Sequence, residues 1–106
     1  MARSWRTTML TGKQRAYLRS LAQKEEAILD VGKAGVTEPV IAEARDALAA
    51  RELIKGRVQE NCMYTAAEAQ AILCEACEAE GVQVIGKVFV LYKKRADGAK
   101  IILPKA

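Results

Sequence analysis

The chain has 106 residues, of which 51% are apolar and 28% charged. This length and this balance fit one globular domain with one modest core, and they exclude a disordered chain and a two-domain protein. The net charge is +4 and histidine is absent, which excludes Ser-His-Asp and Cys-His catalytic arrangements and removes the commonest metal ligand.

The first half of the chain predicts an arm followed by helix, strand and helix. Residues 1–9 are polar and basic, so we expect a flexible arm rather than a signal peptide. Thr11 offers an N-cap for a helix over 11–23, because apolar residues follow it at helical spacing. Ala27–Val31 predicts a strand. Thr37 then opens a second helix that runs to about Ala50, with a proline in its first turn, where proline is tolerated.

The second half predicts strand, helix and hairpin. Residues 52–58 form a second strand in which Gly56 marks a bulge or a close approach. Thr65 and Glu68 have the spacing of a capping box and open a third helix, which Gly81 is placed to end. The runs 82–86 and 88–92 predict two strands joined by a tight turn. Residues 101–103 are apolar and predict an edge strand.

The resulting order is α-β-α-β-α-β-β. Strands that alternate with helices predict an α/β sandwich, with one mixed sheet of about four strands and helices packed mainly on it. We therefore expect a single domain over residues 10–104, behind the basic arm. No stretch approaches the ~20 apolar residues of a membrane span, so we expect a cytoplasmic protein without a membrane partner.

Catalytic and cofactor chemistry has little support in the sequence. Cys74 and Cys77 form a C-x-x-C pair, but a structural zinc needs four ligands and only Cys62 remains to help. The pair also lies inside a predicted helix, whereas redox motifs open one. We predict small core residues, no catalytic residue, no metal, no cofactor and no small-molecule substrate. A thiol or metal protein stays open as a weak alternative.

The Gly32-Lys33-Ala34-Gly35 loop is the most informative segment. It joins an apolar strand to a capped helix, and glycines at both ends permit positive φ and close approach of a ligand. Backbone N–H groups, the positive end of the following helix and the Lys33 ammonium can hold phosphate oxygens. KH domains clamp single-stranded RNA with a GxxG loop of this kind. Glu38, in the first turn of that helix, opposes an anion.

Charge is distributed unevenly along the chain. Residues 60–80 hold five acids and no base, so the remaining residues hold 17 bases against 8 acids. Such segregation suits a polyanionic partner. Arg15 and Arg19 lie one turn apart on the predicted first helix and should face solvent, whereas Lys55 and Arg57 should share one face of a strand.

Several segments together resemble a known family. They are T-G-K-Q-R-A-Y-L-R-S-L-A in the first helix, I-L-D-V-G-K-A-G-V-T-E around the loop, E-L-I-K after the second helix, V-Q-V-I-G-K-V-F-V-L-Y-K in the hairpin and I-I-L-P at the end. In order and spacing they resemble the CRM domain (chloroplast RNA splicing and ribosome maturation), above all its stand-alone bacterial YhbY-like form. The match covers residues 10–104, and Gly56 departs from it.

The resemblance implies a fold similar to the C-terminal domain of translation initiation factor 3. It implies RNA binding through the GxxG loop, here Gly32, Lys33, Ala34 and Gly35, and association with precursors of the large ribosomal subunit. We predict a monomeric ribosome assembly factor that binds ribosomal RNA. Its surrounding basic surface would comprise Arg15, Arg19, Lys55, Arg57, Lys87, Lys93 and Lys94. The alternative is a non-catalytic adaptor of the ribosome or translation machinery, whose acidic third helix binds a basic protein.

Overall fold

A computed structural model describes residues 10–94 and residue 101. Its elements follow the predicted order α-β-α-β-α-β-β. They are α1 (Gly12–Ala22), β1 (Ala27–Val31), α2 (Glu38–Arg51), β2 (Leu53–Val58), α3 (Ala66–Cys77), β3 (Glu80–Ile85) and β4 (Val88–Tyr92). The predicted arm over 1–9 and most of the predicted edge strand over 101–103 lie outside the described residues. Ile101, which is described, is not part of a strand.

Local capping explains where the helices begin. The Thr11 hydroxyl accepts from the N–H of Gln14, whose side chain accepts from the Thr11 N–H in return. Thr65 and Glu68 make the same reciprocal pair at the start of α3, which confirms the predicted capping box. Thr37 occupies the N-cap of α2, but its side chain makes no capping hydrogen bond.

The end of α3 differs from the prediction. The helix ends at Cys77, where Glu78 takes the left-handed conformation with φ of 56°, and Gly81 lies inside β3. The prediction that Gly81 ends the helix was therefore wrong. Gly81 has another use, because a Cβ there would lie 2.8 Å from the side chain of Gln70, which packs over it.

The four strands form one mixed sheet in the order β1-β2-β4-β3. β1 and β2 are parallel, as expected for strands connected through a helix. β4 is antiparallel to both β2 and β3, and β3 and β4 form the predicted hairpin. The predicted mixed sheet of about four strands is confirmed.

Helices cover both faces of this sheet. Along β4, Phe89 and Leu91 point to the face that carries α2 and α3, where the larger core cluster lies. Val90 and Tyr92 point the other way and pack with Leu18 of α1. The alternation follows from the two-residue period of a strand. The smaller core lies under α1, a helix of 11 residues.

Gly56 marks a close approach, as predicted. A Cβ at this position would lie 2.4 Å from the ring of Phe89, its cross-strand neighbour on β4. β2 pairs with β4 continuously through Gly56, whereas the irregularity occurs on β1 between Ala27 and Leu29. Glycine at this point of β2 therefore makes space for the only phenylalanine of the chain.

Candidate nucleic-acid interface

Three connections meet at one end of the sheet, which we call the loop end. Because β1 and β2 are parallel, the Gly32–Gly35 loop after β1 lies beside the connector 59–64 after β2. The antiparallel β4 begins at the same end, so the Gly86-Lys87 turn joins them. The N–H of Gln59 donates to the Val31 carbonyl at 2.9 Å, and the N–H of Val58 donates to the Lys87 carbonyl at 2.8 Å.

The loop itself is a tight turn with an exposed tip. The N–H of Gly35 donates to the Gly32 carbonyl at 2.9 Å, which closes a four-residue turn. Lys33 and Ala34 are exposed, whereas Gly35 is buried. Gly35 has φ of +80°, and a Cβ there would lie 2.6 Å from the ring of Tyr64. Tyr64 thus supports the loop from below while the tip faces solvent.

The two glycines of the loop serve different purposes. Positive φ was expected to be available at both, but among them only Gly35 adopts it. Gly32 has ordinary φ, and a Cβ there would point into open space. Gly35 is therefore required by the fold, whereas nothing within the described residues requires a glycine at position 32.

Three of the predicted cations, Lys33, Lys87 and Arg57, lie at the loop end, whereas Lys55 lies further back on β2 and reaches toward the start of β1. Lys33 is at the tip of the loop, and Lys87 is in the hairpin turn, 3.7 Å from the carboxylate of Glu60. Lys55 and Arg57 share the α1 face of β2, as predicted, because they pair with Val90 and Val88. The Lys55 ammonium donates to the Glu25 carbonyl at 3.3 Å.

The other predicted cations lie elsewhere. Arg15 is half-buried and its guanidinium donates to the carbonyl of Gly81, so the expectation that it faces solvent was wrong. The reason is that Arg15 flanks the buried stripe of α1 and reaches the adjacent strand. Arg19, one turn further on, is also half-buried. The Lys93 ammonium donates to the Cys77 carbonyl at 2.9 Å, and Lys94 is exposed beyond β4, at the opposite end of the sheet from the loop.

Acidic side chains lie on both faces of the sheet. Asp30, next to Arg57 across the β1–β2 pair, accepts from the Gln59 amide at 3.0 Å. The acids of the third helix and its end are exposed on the opposite side of the sheet from α1; they are Glu68, Glu75 and Glu78. Lys55 and Arg57 lie on the α1 side together with Asp30, and Arg45 of α2 donates to the Ala76 carbonyl on the side of the acids. Charges of the two signs are therefore only partly separated across the sheet.

Two features of the loop end were missed by sequence reasoning. Tyr64 supports Gly35, and Ile85 is an exposed apolar residue at the tip of the hairpin, 63% accessible. Parallel pairing of β1 with β2 would have suggested the first, since it brings the residues before Thr65 beside the loop. The sequence carried no signal for the exposure of Ile85, because the alternation of side chains along a strand does not show which face of the sheet a helix covers.

Cys74 and Cys77 belong to the core, as predicted. Cys74 and Cys77 are buried in α3 and Cys62 is half-buried, all three as free thiols. Burial raises the pKa of the Cys77 thiol, against the opposing effect of the nearby Arg45 and Lys93 charges. Across residues 10–94 and 101, no three potential ligands of the cysteine or carboxylate type come together as a metal site would require.

Fold and site together define a small α/β domain with a GxxG turn presented among cations at one end of a mixed sheet. Within the described part of the chain, no helix has the length and apolar character needed to cross a membrane. The chain matches the CRS1/YhbY (CRM) domain over residues 10–93 and belongs to this family.

Two relatives and one solved structure match this chain over nearly its whole length and over nearly the whole of their own. The Bacillus subtilis protein named "Probable RNA-binding protein YqeI" is 42% identical over 96 residues, which cover 91% of this chain and 100% of that protein. A Haemophilus influenzae protein named "RNA-binding protein" is 36% identical over 92% of this chain and 98% of its own. The solution structure of Staphylococcus aureus SAV1595, described as a candidate RNA-binding protein, superposes with a TM-score of 0.77 at 44% identity, covering 91% of this chain and 100% of that one.

Proposed function

We propose that this protein binds RNA, without catalysis, and holds its sugar–phosphate backbone at the loop end. The observation that carries the proposal is the exposed Lys33-Ala34 tip, held in a closed turn over Tyr64, with Lys87 and Arg57 at the same end of the sheet. A rigid turn with a cation at its tip can approach a phosphate closely without first being ordered.

Single-stranded RNA fits this end better than a duplex. The GxxG turn presents a narrow tip rather than a broad surface, and GxxG loops clamp a short run of backbone nucleotides. Thr37 at the start of α2 makes no side-chain capping bond, so its hydroxyl does not accept from the N–H groups at the positive end of this helix, which follows the turn. Glu38 reduces that field, so we assign the main attraction to the turn and the lysines.

The finer assignment is ribosomal RNA in precursors of the large subunit, bound in the cytoplasm by a monomer. The family resemblance supports the ribosomal role, and the names of the relatives support RNA as the ligand. Ultraviolet crosslinking in cells, followed by sequencing of the bound RNA, tests it. We expect reads concentrated in large-subunit precursor RNA, and reads spread over messenger RNA would contradict the ribosomal role.

A second candidate, a protein adaptor, is favoured by one observation. The acids Glu68, Glu75 and Glu78 are exposed on the opposite side of the sheet from α1, so this surface could bind a basic protein without RNA. Affinity capture before and after nuclease treatment separates the two functions. Loss of the ribosomal partners after nuclease supports RNA binding, whereas protein partners that remain bound support the adaptor.

A further inference from the structure

Within residues 10–94 and 101, the helices leave open a part of the sheet next to the loop end. The register places Asp30, Arg57, Val88 and Ile85 in one row across β1, β2, β4 and β3. These positions lie on the face of the sheet that carries α1. Because α1 ends at Ala22, it does not extend over this row. Arg57 and Ile85 are exposed and Val88 is half-buried. Ile85, at 63% accessible, is the most exposed aliphatic side chain in the strands that the structure describes, and it lies in the same row as the exposed cation Arg57.

A cavity of about 230 Å³ lies between this row and the end of α1. Its lining combines the apolar residues Ile85, Val88 and Val90, which we call the floor, with the polar residues Gln23, Gln83 and Lys55. An apolar surface with a few convergent donors and acceptors is the usual composition of a small-ligand site. A nucleobase has this character, with two apolar faces and a polar edge.

The cavity is within reach of the backbone-binding loop. Asp30 is three residues before Lys33, so their Cα atoms are at most about 11 Å apart. Arg57 is one strand further and Val88, which lines the cavity, is two strands further, at about 5 Å for each strand. A few nucleotides of RNA can span this distance. Lys55 and Arg57 carry the charge that an entering strand requires, and the guanidinium plane of Arg57 can stack on a base. Asp30 is the residue of the row whose charge repels a phosphate, and one of its carboxylate oxygens accepts a hydrogen bond from the Gln59 side chain.

We infer that this cavity receives one unstacked nucleobase of the strand whose backbone the loop holds. The inference rests on the proposed function and adds the place where a base, rather than a phosphate, is bound. The base would lie on the aliphatic floor, and Gln83 would meet its polar edge, since an amide offers both donors and an acceptor. Recognition would thus combine a sequence-independent contact at the loop with a base-dependent contact on the sheet.

Methyl and amide NMR on the full chain tests the inference with two ligands of equal length and charge. One is a single-stranded RNA octamer of mixed sequence, and the other is a stable abasic octamer. We expect the amide signals of Lys33 and Ala34 to shift with both ligands, and the methyl signals of Ile85 and Val88 to shift with the base-bearing octamer alone. If the loop signals shift with both ligands and the methyl signals with neither, the base site is refuted while the proposed function stands. If the loop signals shift with neither, the proposed function itself fails.

A matched pair of variants gives the energetic test. Ile85→Ser removes the exposed part of the floor, whereas Val84→Ser changes the next residue, which points to the other face and pairs with Phe89. We expect Ile85→Ser to weaken binding of the base-bearing octamer about three- to tenfold and to leave the abasic octamer unchanged. Val84→Ser should change neither by more than about twofold. Equal losses in the two variants would overturn the inference. Sedimentation of the free chain provides a second check. A dimer that Ile85→Ser abolishes would also overturn the inference, because this face would then bind a second copy of the chain.

Discussion

Gly32→Asp is the sharpest perturbation of the proposed RNA contact, because the structure separates it from folding. Position 32 has ordinary φ and open space where a side chain would begin, so we expect little change in stability. The new carboxylate lies next to Lys33, where the proposal places phosphates. Gly35→Asp is unsuitable for the same test, since φ of +80° and the Tyr64 ring both oppose a side chain there.

The expected loss follows from simple electrostatics. A carboxylate about 7 Å from a phosphate is repelled by roughly 0.6–2.4 kcal/mol for an effective dielectric constant between about 80 and 20. For one phosphate this corresponds to about three- to sixtyfold weaker binding. Gly32→Asn, of the same size but without charge, should lose much less.

Fluorescence anisotropy with a labelled RNA octamer at low salt measures this loss, with circular dichroism and urea unfolding as checks on the fold. Gly12→Asp is the matched control, because Gly12 also has open space around it and begins α1, whose Arg15 contacts Gly81 at the end of β3 remote from the loop. If folded Gly32→Asp binds as tightly as the wild type, or if Gly12→Asp loses as much, the loop is not the phosphate site.

Three further predictions follow from the same structure. The logarithm of the affinity for the octamer should fall with log salt at a slope of about −3 if Lys33, Lys87, Arg57 and Lys55 each meet a phosphate. Lys33→Ala and Lys87→Ala should each reduce this slope by about 0.7, and an equal reduction in Lys94→Ala would contradict the assignment. Gly56→Ala should destabilise the fold by about 1–3 kcal/mol in urea unfolding, because its Cβ would overlap Phe89. Adding Phe89→Leu to this variant should recover part of the loss. An unchanged unfolding midpoint in Gly56→Ala would disprove the contact. Burial, and secondarily the charge of Glu52, raises the pKa of Tyr92 above its ordinary 10.0. The neutral phenol therefore stabilises the fold below pH 10, and this stabilisation is lost as the pH rises through the folded-state pKa. Between pH 9 and 11 the free energy of unfolding should fall less in Tyr92→Phe than in the wild type, and parallel stability–pH profiles would refute this.

The elements were predictable because their signals are local. Thr11, Thr37 and Thr65 each occupy an N-cap, and the apolar spacing that follows them marks the helices. The hairpin of β3 and β4 was predictable from two β-branched runs around a glycine. Where the prediction failed, two local signals competed. Gly81 looked like a helix end, but Glu78 took the left-handed conformation instead and Gly81 joined the strand.

The candidate site was predictable only in part. The Gly32–Gly35 loop could be identified because glycines between a strand and a capped helix are visible in the sequence. The grouping of the cations could not be predicted, since it depends on which strands pair. Arg15 turned to a backbone carbonyl of β3, and Lys93 turned to the end of α3.

By itself the sequence determined the order of the elements and the position of the GxxG turn. Both depend on interactions over a few residues, such as capping, helical spacing and the conformational freedom of glycine. Only the tertiary structure decided which cations accompany that turn and that Tyr64 supports it. It also decided that, among the described residues on the α1 face, Ile85 is exposed and Val88 half-buried. These facts follow from the pairing of strands distant in the chain, which local interactions do not specify.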